Sequence, residues 1–209
     1  MNYFNDKTAE QLTLVAIFHA KEGLTEKLKK ACLDLIGKTR AEEGCISYHL
    51  YEDREDPRQF IFHEIWANEE RLKKHRESEH LRQFHALKDK LTDRATVIQR
   101  WERSEAPAPV IEKDSLVLFA YNSNKGQTTR EWQKILEDLI APTLAEKGAL
   151  HYELHLSKEN PNDFMFHETW RTVEDWNNHM AAPHLQSLLE IIDKHTVNGI
   201  TVIKAKPVN

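Results

Sequence analysis

Apolar residues recur along this chain with two alternating periods. Short apolar runs at residues 12–19 (LTLVAIFH) and 115–121 (SLVLFAY) read as strands. Each run leads into a helical stripe. Leu28, Ala31, Leu35 and Ile36 share one face of a helix over 24–42, and Trp132, Ile135, Leu139 and Ile140 share one over 128–147. Gly44 and Gly148 follow the last turns, where a helix end favours left-handed dihedrals, and Pro142 predicts a kink. A period of two then takes over. Ile46, Tyr48 and Leu50 alternate with Ser47, His49 and Tyr51, and Leu150, Tyr152 and Leu154 alternate with His151, Glu153 and His155. After polar turns, residues 60–66 and 164–170 form a second strand whose Phe60, Phe62, Glu64 and Trp66 share one face. Helical regions over 69–91 and 173–195, broken near Ser78 and Pro183, and last strands over 95–101 and 199–204 complete the pattern.

The pattern occurs twice because the sequence does. A shift of 104 positions lays the second half on the first without a gap, with roughly 29 of about 90 positions identical. The period is that of a domain, not of a solenoid unit. The predicted organisation is one domain over 12–103, a Pro/Ala-rich linker over 104–114 and a second domain over 115–206. The order β-α-β-β-α-β predicts an α+β class with two tandem ferredoxin-like domains. Helices cover one sheet face only, so the bare faces of the two copies are expected to pack sheet-to-sheet as an internal pseudo-dimer. A further homodimer through exposed edges remains open.

Composition narrows the function. A net charge of −5 and a pI near 6.2 argue against a nucleic-acid partner. No apolar run approaches the ~20 residues of a membrane span. The polar opening MNYFNDKTAEQ does not resemble a signal peptide. Cys32 and Cys45 have no cysteine counterparts in the second copy, and a reduced cytoplasmic setting is expected. Histidine is abundant, at twelve residues, and several recur in both copies.

The candidate chemistry lies on F-x-F-H-E-x-W and the region after it. Glu64, Trp66, His75 and His80 can converge between sheet and helices, as can Glu168, Trp170, His179 and His184. One reading is a small apolar pocket with histidine as a base near neutral pH, and with Tyr48, Tyr152, Phe62, Phe166 and the two tryptophans binding a ring. The other is that the aromatics are core and the histidines cap helices. His63, His167, His49, His151 and His155 face the opposite way, between the sheets. No H-E-x-x-H motif supports a metal, no G-x-G-x-x-G a phosphate loop, and no G-x-S-x-G a nucleophile elbow.

The motif E-E-G-C-x-x-Y-x-L of the first copy, matched by E-K-G-A-x-x-Y-x-L in the second, and the motifs F-x-F-H-E-x-W and E-x4-H-x4-H-L, present in both copies, resemble those of the antibiotic biosynthesis monooxygenase (ABM) family. The resemblance covers nearly all of both copies. It implies a dimeric α+β barrel with pockets between sheet and helices. It also implies oxidation of a small aromatic or quinol-type substrate by O2 without metal or flavin, with His75, His80, His179 and His184 as candidate bases. Other members degrade heme or isomerise small signalling molecules. The heme branch fits less well: His75 and His179 stand where a Trp is expected, His85 is matched by Leu189, and the first strand of copy one has no Asn. A non-catalytic ligand-binding or stress-response barrel is the competing class. The first strands, Ile17-Phe18-His19 against Tyr121-Asn122-Ser123, predict that the two pockets differ.

Overall fold

A computed structural model describes residues 3–5 and 10–208. Residues 1, 2 and 6–9 of the polar opening lie outside the described residues. The first copy forms β1 (Leu12–His19), α1 (Thr25–Arg40), β2 (Cys45–Asp53), β3 (Gln59–Trp66), α2 (Glu69–Arg76), α3 (Glu79–Leu91) and β4 (Val97–Arg103). The second forms β5 (Leu116–Asn124), α4 (Thr129–Asp138), α5 (Ile140–Leu144), β6 (Ala149–Ser157), β7 (Asp163–Trp170), α6 (Val173–Met180), α7 (Pro183–His195) and β8 (Thr196–Pro207). The two copies are tandem ferredoxin-like βαββαβ domains. Their strand orders are β4-β1-β3-β2 and β8-β5-β7-β6. Among the described residues, no helix is long and apolar enough to cross a membrane.

In the first copy, strand alternation sends Leu14, Ala16, Phe18, Tyr48, Leu50, Phe60, Phe62 and Trp66 to one face. There they pack on Leu28, Cys32 and Leu35 of α1, Leu72 of α2, and Leu81, Phe84 and Leu91 of α3. Each such side chain contributes about 1.5–3 kcal/mol by leaving water. The second copy repeats the arrangement around Trp132, Leu136, Tyr152, Phe166, Leu185 and Leu188. A register shift between Cys45 and Ser47 in β2 is matched by one between Ala149 and His151 in β6. Beyond each shift, Tyr48 stands opposite Glu64 and Tyr152 opposite Glu168.

The predicted helix over 128–147 is two helices, α4 and α5, meeting at Leu139–Ile140. Pro142 has no N–H to continue the ladder, which accounts for the break. The second helical regions also divide. Ser78 caps α3 by accepting from the Leu81 N–H, while Pro183 opens α7. Gly44 sits at φ +87°, and a Cβ there would lie 2.3 Å from Arg71 Cγ; Gly148, at φ +83°, meets Asp175 in the same way. Only glycine lets the turn after α1 or α5 pass so close to the next helix.

The last strands run further than their hydrophobic pattern predicts, because their ends find partners. Trp101–Arg103 of β4 pair with Ser157–His155 of β6, and Ala205–Pro207 of β8 pair with Asp53–Tyr51 of β2. Contacts divide the chain accordingly. Among the described residues, one compact unit holds residues 10–100 with 205–208; the other holds residues 3–5 with Trp101–Lys204. In the second unit Arg103 Nε donates to Glu153 Oε1 at 2.6 Å, both side chains being almost wholly buried. His151 Nε2 lies 3.2 Å from the other carboxylate oxygen. Burial alone would raise the Glu153 pKa, but His155, His151 and Arg103 outweigh it and hold the carboxyl below its usual range. Copy one has Ser47, His49 and Tyr51 at the positions of His151, Glu153 and His155, so this charged cluster has no equivalent there.

Replacing Arg103 by Met strands the Glu153 carboxylate. The variant is expected to lose about 3–5 kcal/mol, read from urea denaturation, and Glu153→Gln in the same chain should recover most of it.

Candidate active site

Among the described residues, each copy holds a cavity between its sheet and its helices. The first, about 300 Å³, is walled by Leu14, Phe18, Phe62, Leu81 and Phe84, with Tyr48, Glu64 and His75 as polar lining. The second, about 270 Å³, is walled by Leu118, Phe166, Leu185 and Leu188, with Tyr152, Glu168 and His179. Ligand pockets usually begin near 300 Å³, so these suit a molecule of one or two rings.

Strand geometry places the carboxyl. Glu64 stands between Leu14 of β1 and Tyr48 of β2 in register, with its side chain on the apolar face. Trp66, two residues on and on the same face, donates Nε1–H to Glu64 Oε2 at 2.9 Å; Trp170 does the same for Glu168 at 2.9 Å. Burial nevertheless dominates and raises both carboxyls to about 7. The indole hydrogen bonds oppose it in both copies and the Arg76 charge does so in the first, while Glu146 adds to the rise in the second. At neutral pH each acid is therefore divided between a proton donor and a proton acceptor.

Helix termini place the histidines. Asn68 accepts from the Arg71 N–H and fixes the start of α2, which brings His75 into its last turn. His80 follows a helix break, in the first turn of α3, which is how a spacing of five converges on one point. Both rings meet Glu42, just past the end of α1: His75 Nδ1 lies 2.7 Å from Oε2 and His80 Nε2 3.1 Å from Oε1. In the second copy His179 Nδ1 lies 2.6 Å and His184 Nε2 3.1 Å from Glu146 Oε1. A carboxylate can only accept, so an ionised Glu42 places the proton of His75 on Nδ1 and leaves a lone pair on Nε2. Burial, with His80, His85 and Arg76 nearby, pushes His75 down to about 4; burial also lowers His179 against the opposing Glu146 hydrogen bond. Trp66 lies on the His75 ring at 4.6 Å, and Trp170 on His179 at 4.7 Å.

The expected residues thus divide into two groups. Tyr48, Phe62, Glu64 and His75 line the first cavity, and Tyr152, Phe166, Glu168 and His179 the second. Trp66, Trp170, His80 and His184 do not line them. The tryptophans stand behind the carboxyls, and the outer histidines hold Glu42 and Glu146 from the other side. Burial holds the Tyr48 and Tyr152 phenols well above their usual pKa, so they stay protonated donors. Sequence reasoning missed the roles of Glu42 and Glu146, although both are identical across the repeat two residues before a paired glycine. It also missed Phe84, Leu188 and the other helical wall residues. Among the described residues, Glu42–His75–His80 and Glu146–His179–His184 are the groups able to hold a metal ion, with ligand atoms within 4.8 Å of one another. The same atoms already bond to one another.

A ferredoxin-like domain with a buried carboxyl and an imidazole in an apolar cavity is a setting for proton transfer. The family model for "Antibiotic biosynthesis monooxygenase" matches residues 12–87 and again 116–190. The chain belongs to that family, with two domains in tandem. It is 30% identical over 94 residues to "Putative monooxygenase YcnE" of Bacillus subtilis, covering 45% of this chain and 99% of that one. It is 39% identical over 49 residues to "Uncharacterized protein sll1783" of Synechocystis, spanning 23% of this chain and only 33% of that relative's length. The crystal structure of "Putative monooxygenase (FN1347)" from Fusobacterium nucleatum superposes with a TM-score of 0.87 at 17% identity, over 96% of this chain and 94% of that one. An anthrone oxidase-like protein superposes with a TM-score of 0.70 at 14% identity, over 96% and 92%. At these identities the structures share the fold.

The raised carboxyl makes a pH signature. Glu64 binds its proton more tightly folded than unfolded, so between about pH 4.5 and 7 its contribution to stability falls as pH rises. His75 has the opposite sign: its pKa falls on folding, so its contribution rises with pH from about 4 to 6.5. Glu64→Gln keeps an acceptor for Trp66 and removes the falling component. The variant is expected to be more stable than the parent at pH 8, by up to about 3 kcal/mol, and to gain stability more steeply from pH 4.5 to 7. Denaturation midpoints across pH measure both.

Proposed function

We propose that the chain is a cofactor-independent monooxygenase of small aromatic or quinol-type substrates, with Glu64 and Glu168 as the proton acceptors. The observation that carries this reading is a carboxyl raised to about 7 inside each apolar cavity, beside a neutral imidazole. Such chemistry needs no more from the protein than a base, a dry site and a partner for the resulting anion. Glu64 takes the phenolic proton. The electron-rich anion gives one electron to O2, leaving a substrate radical and superoxide. Their recombination forms a carbon–oxygen bond, and cleavage of the peroxide releases water. The balance is a quinol QH2 plus O2 going to a hydroxyquinone plus H2O, with no external reductant. Tyr48 and the His75 ring, held through Nδ1 by Glu42, line the cavity where the oxygen atoms gather. The relatives named as monooxygenases support the reaction class. The reading assigns no role to metal, flavin or heme, and a heme titration is expected to give no Soret shift. It places the protein in the cytoplasm with a diffusible ligand and O2 as its partners.

An oxygen electrode with a panel of hydroquinones and dihydroxynaphthalenes tests the proposal. O2 uptake should rise with pH through about 7 as the carboxyls ionise. Glu64→Gln with Glu168→Gln should cut it by roughly 10²–10⁴-fold. Tight ligand binding with no uptake above background would instead identify a non-catalytic binding domain.

A further inference from the structure

The two cavities share their carboxyl, imidazole and phenol but not their rims. Arg76 and His85 line the first cavity from the end of α2 and from α3. The 104-residue shift places Met180 and Leu189 at those positions in the second, and both line it. Apart from Glu168 and His179, no acid or base is among the side chains lining the second cavity. Lys204 stacks on its Trp176, 4.7 Å from the ring centroid, and is not part of the lining.

Arg76 is available to a ligand. Its nearest acid is Glu69, with Nη1 3.7 Å from Oε1, a loose pair on an exposed surface, and Arg100 binds the other oxygen of that carboxylate. Its charge reaches into the cavity, since it acts on both Glu64 and His75. His85 packs its ring against Phe84 at 6.1 Å, widening the polar rim. A third lining position differs as well. Phe18 closes the first cavity against Phe62 and Phe84, whereas Asn122 in the second holds the Trp132 Nε1–H at 2.7 Å.

We infer that the first cavity selects an aromatic ligand carrying an anionic substituent, bound by Arg76, and that the second takes an uncharged one. This rests on the reading of the cavities as aromatic-binding sites. A guanidinium at the mouth offers a planar, permanently charged fork that suits a carboxylate. A rim of Met180 and Leu189 leaves such a group without a partner and so rejects it. A chain with two such sites accepts two substrate classes, where two identical copies would accept one.

The test compares 1-hydroxy-2-naphthoate with 1-naphthol by calorimetry on the full chain. The parent should bind the naphthoate at one tight site per chain. Arg76→Met, which installs the residue of the second copy, should reduce the ratio of naphthoate to naphthol affinity by about tenfold or more. Met180→Arg should create a second naphthoate site, and added salt should weaken the naphthoate preference of both. An unchanged ratio in Arg76→Met, with naphthol still bound, overturns the assignment of Arg76 and leaves the cavities as aromatic sites. Failure of both compounds to bind the parent overturns that underlying reading and this inference together.

Discussion

The local architecture of each domain turns on one carboxylate gripped by two imidazoles. Glu42 lies past the end of α1, His75 in the last turn of α2 and His80 in the first turn of α3, so a single side chain joins three helix ends. Glu146, His179 and His184 do the same in the second domain. The geometry satisfies polar groups that would otherwise be stranded at helix ends, and it fixes which nitrogen of the inner histidine carries the proton. Tryptophan then lies against the inner imidazole while its own N–H holds the cavity carboxyl. The chain of contacts runs from a helix end to a reactive group without a break.

That chain explains why the cavity can be both apolar and reactive. Leu14, Phe62 and Tyr48 exclude water from around Glu64, and the same exclusion raises its pKa. One indole hydrogen bond keeps the carboxyl oriented without supplying enough stabilisation to restore an ordinary acid. The repeat shows which parts of this arrangement tolerate change. Glu, Trp, His and Tyr are the same in both copies, while rim positions 76 and 85, and lining position 18, differ in charge or size from 180, 189 and 122.

Most of the architecture was legible in the residues. Period-two alternation in 48–51 and 60–66 shows which side chains share a face, and the ungapped repeat shows the fold twice over; Ile46, expected beside Tyr48 and Leu50, instead falls in the register shift of β2 and is exposed. Helix breaks were legible from Ser78, Pro183 and Pro142, whose local chemistry ends a helix whatever surrounds it. The division of labour within the site was not. Whether Trp66 walls a cavity or stands behind it depends on helix packing, which no strand pattern encodes. Glu42 carries no motif of its own, because a glutamate near a helix end is ordinarily solvent-facing and its partners lie 33 and 38 residues away, 75 − 42 and 80 − 42. The strand extensions were hidden for a similar reason. Residues 101–103 and 205–207 read as the fading ends of strands until their partners on β6 and β2 are known.

Those extensions bear on the order in which the molecule can be made. Ala205–Pro207 pair with β2, and the Val208 N–H donates to the Leu50 carbonyl, so the last residues of the chain complete the sheet of the first copy. A chain emerging from the ribosome presents β1 to β4 long before that segment exists. The sheet of the first copy therefore keeps β2 as an open edge until residues 205–208 have been made, and the usual order of domain completion, first made and first finished, is reversed at this strand.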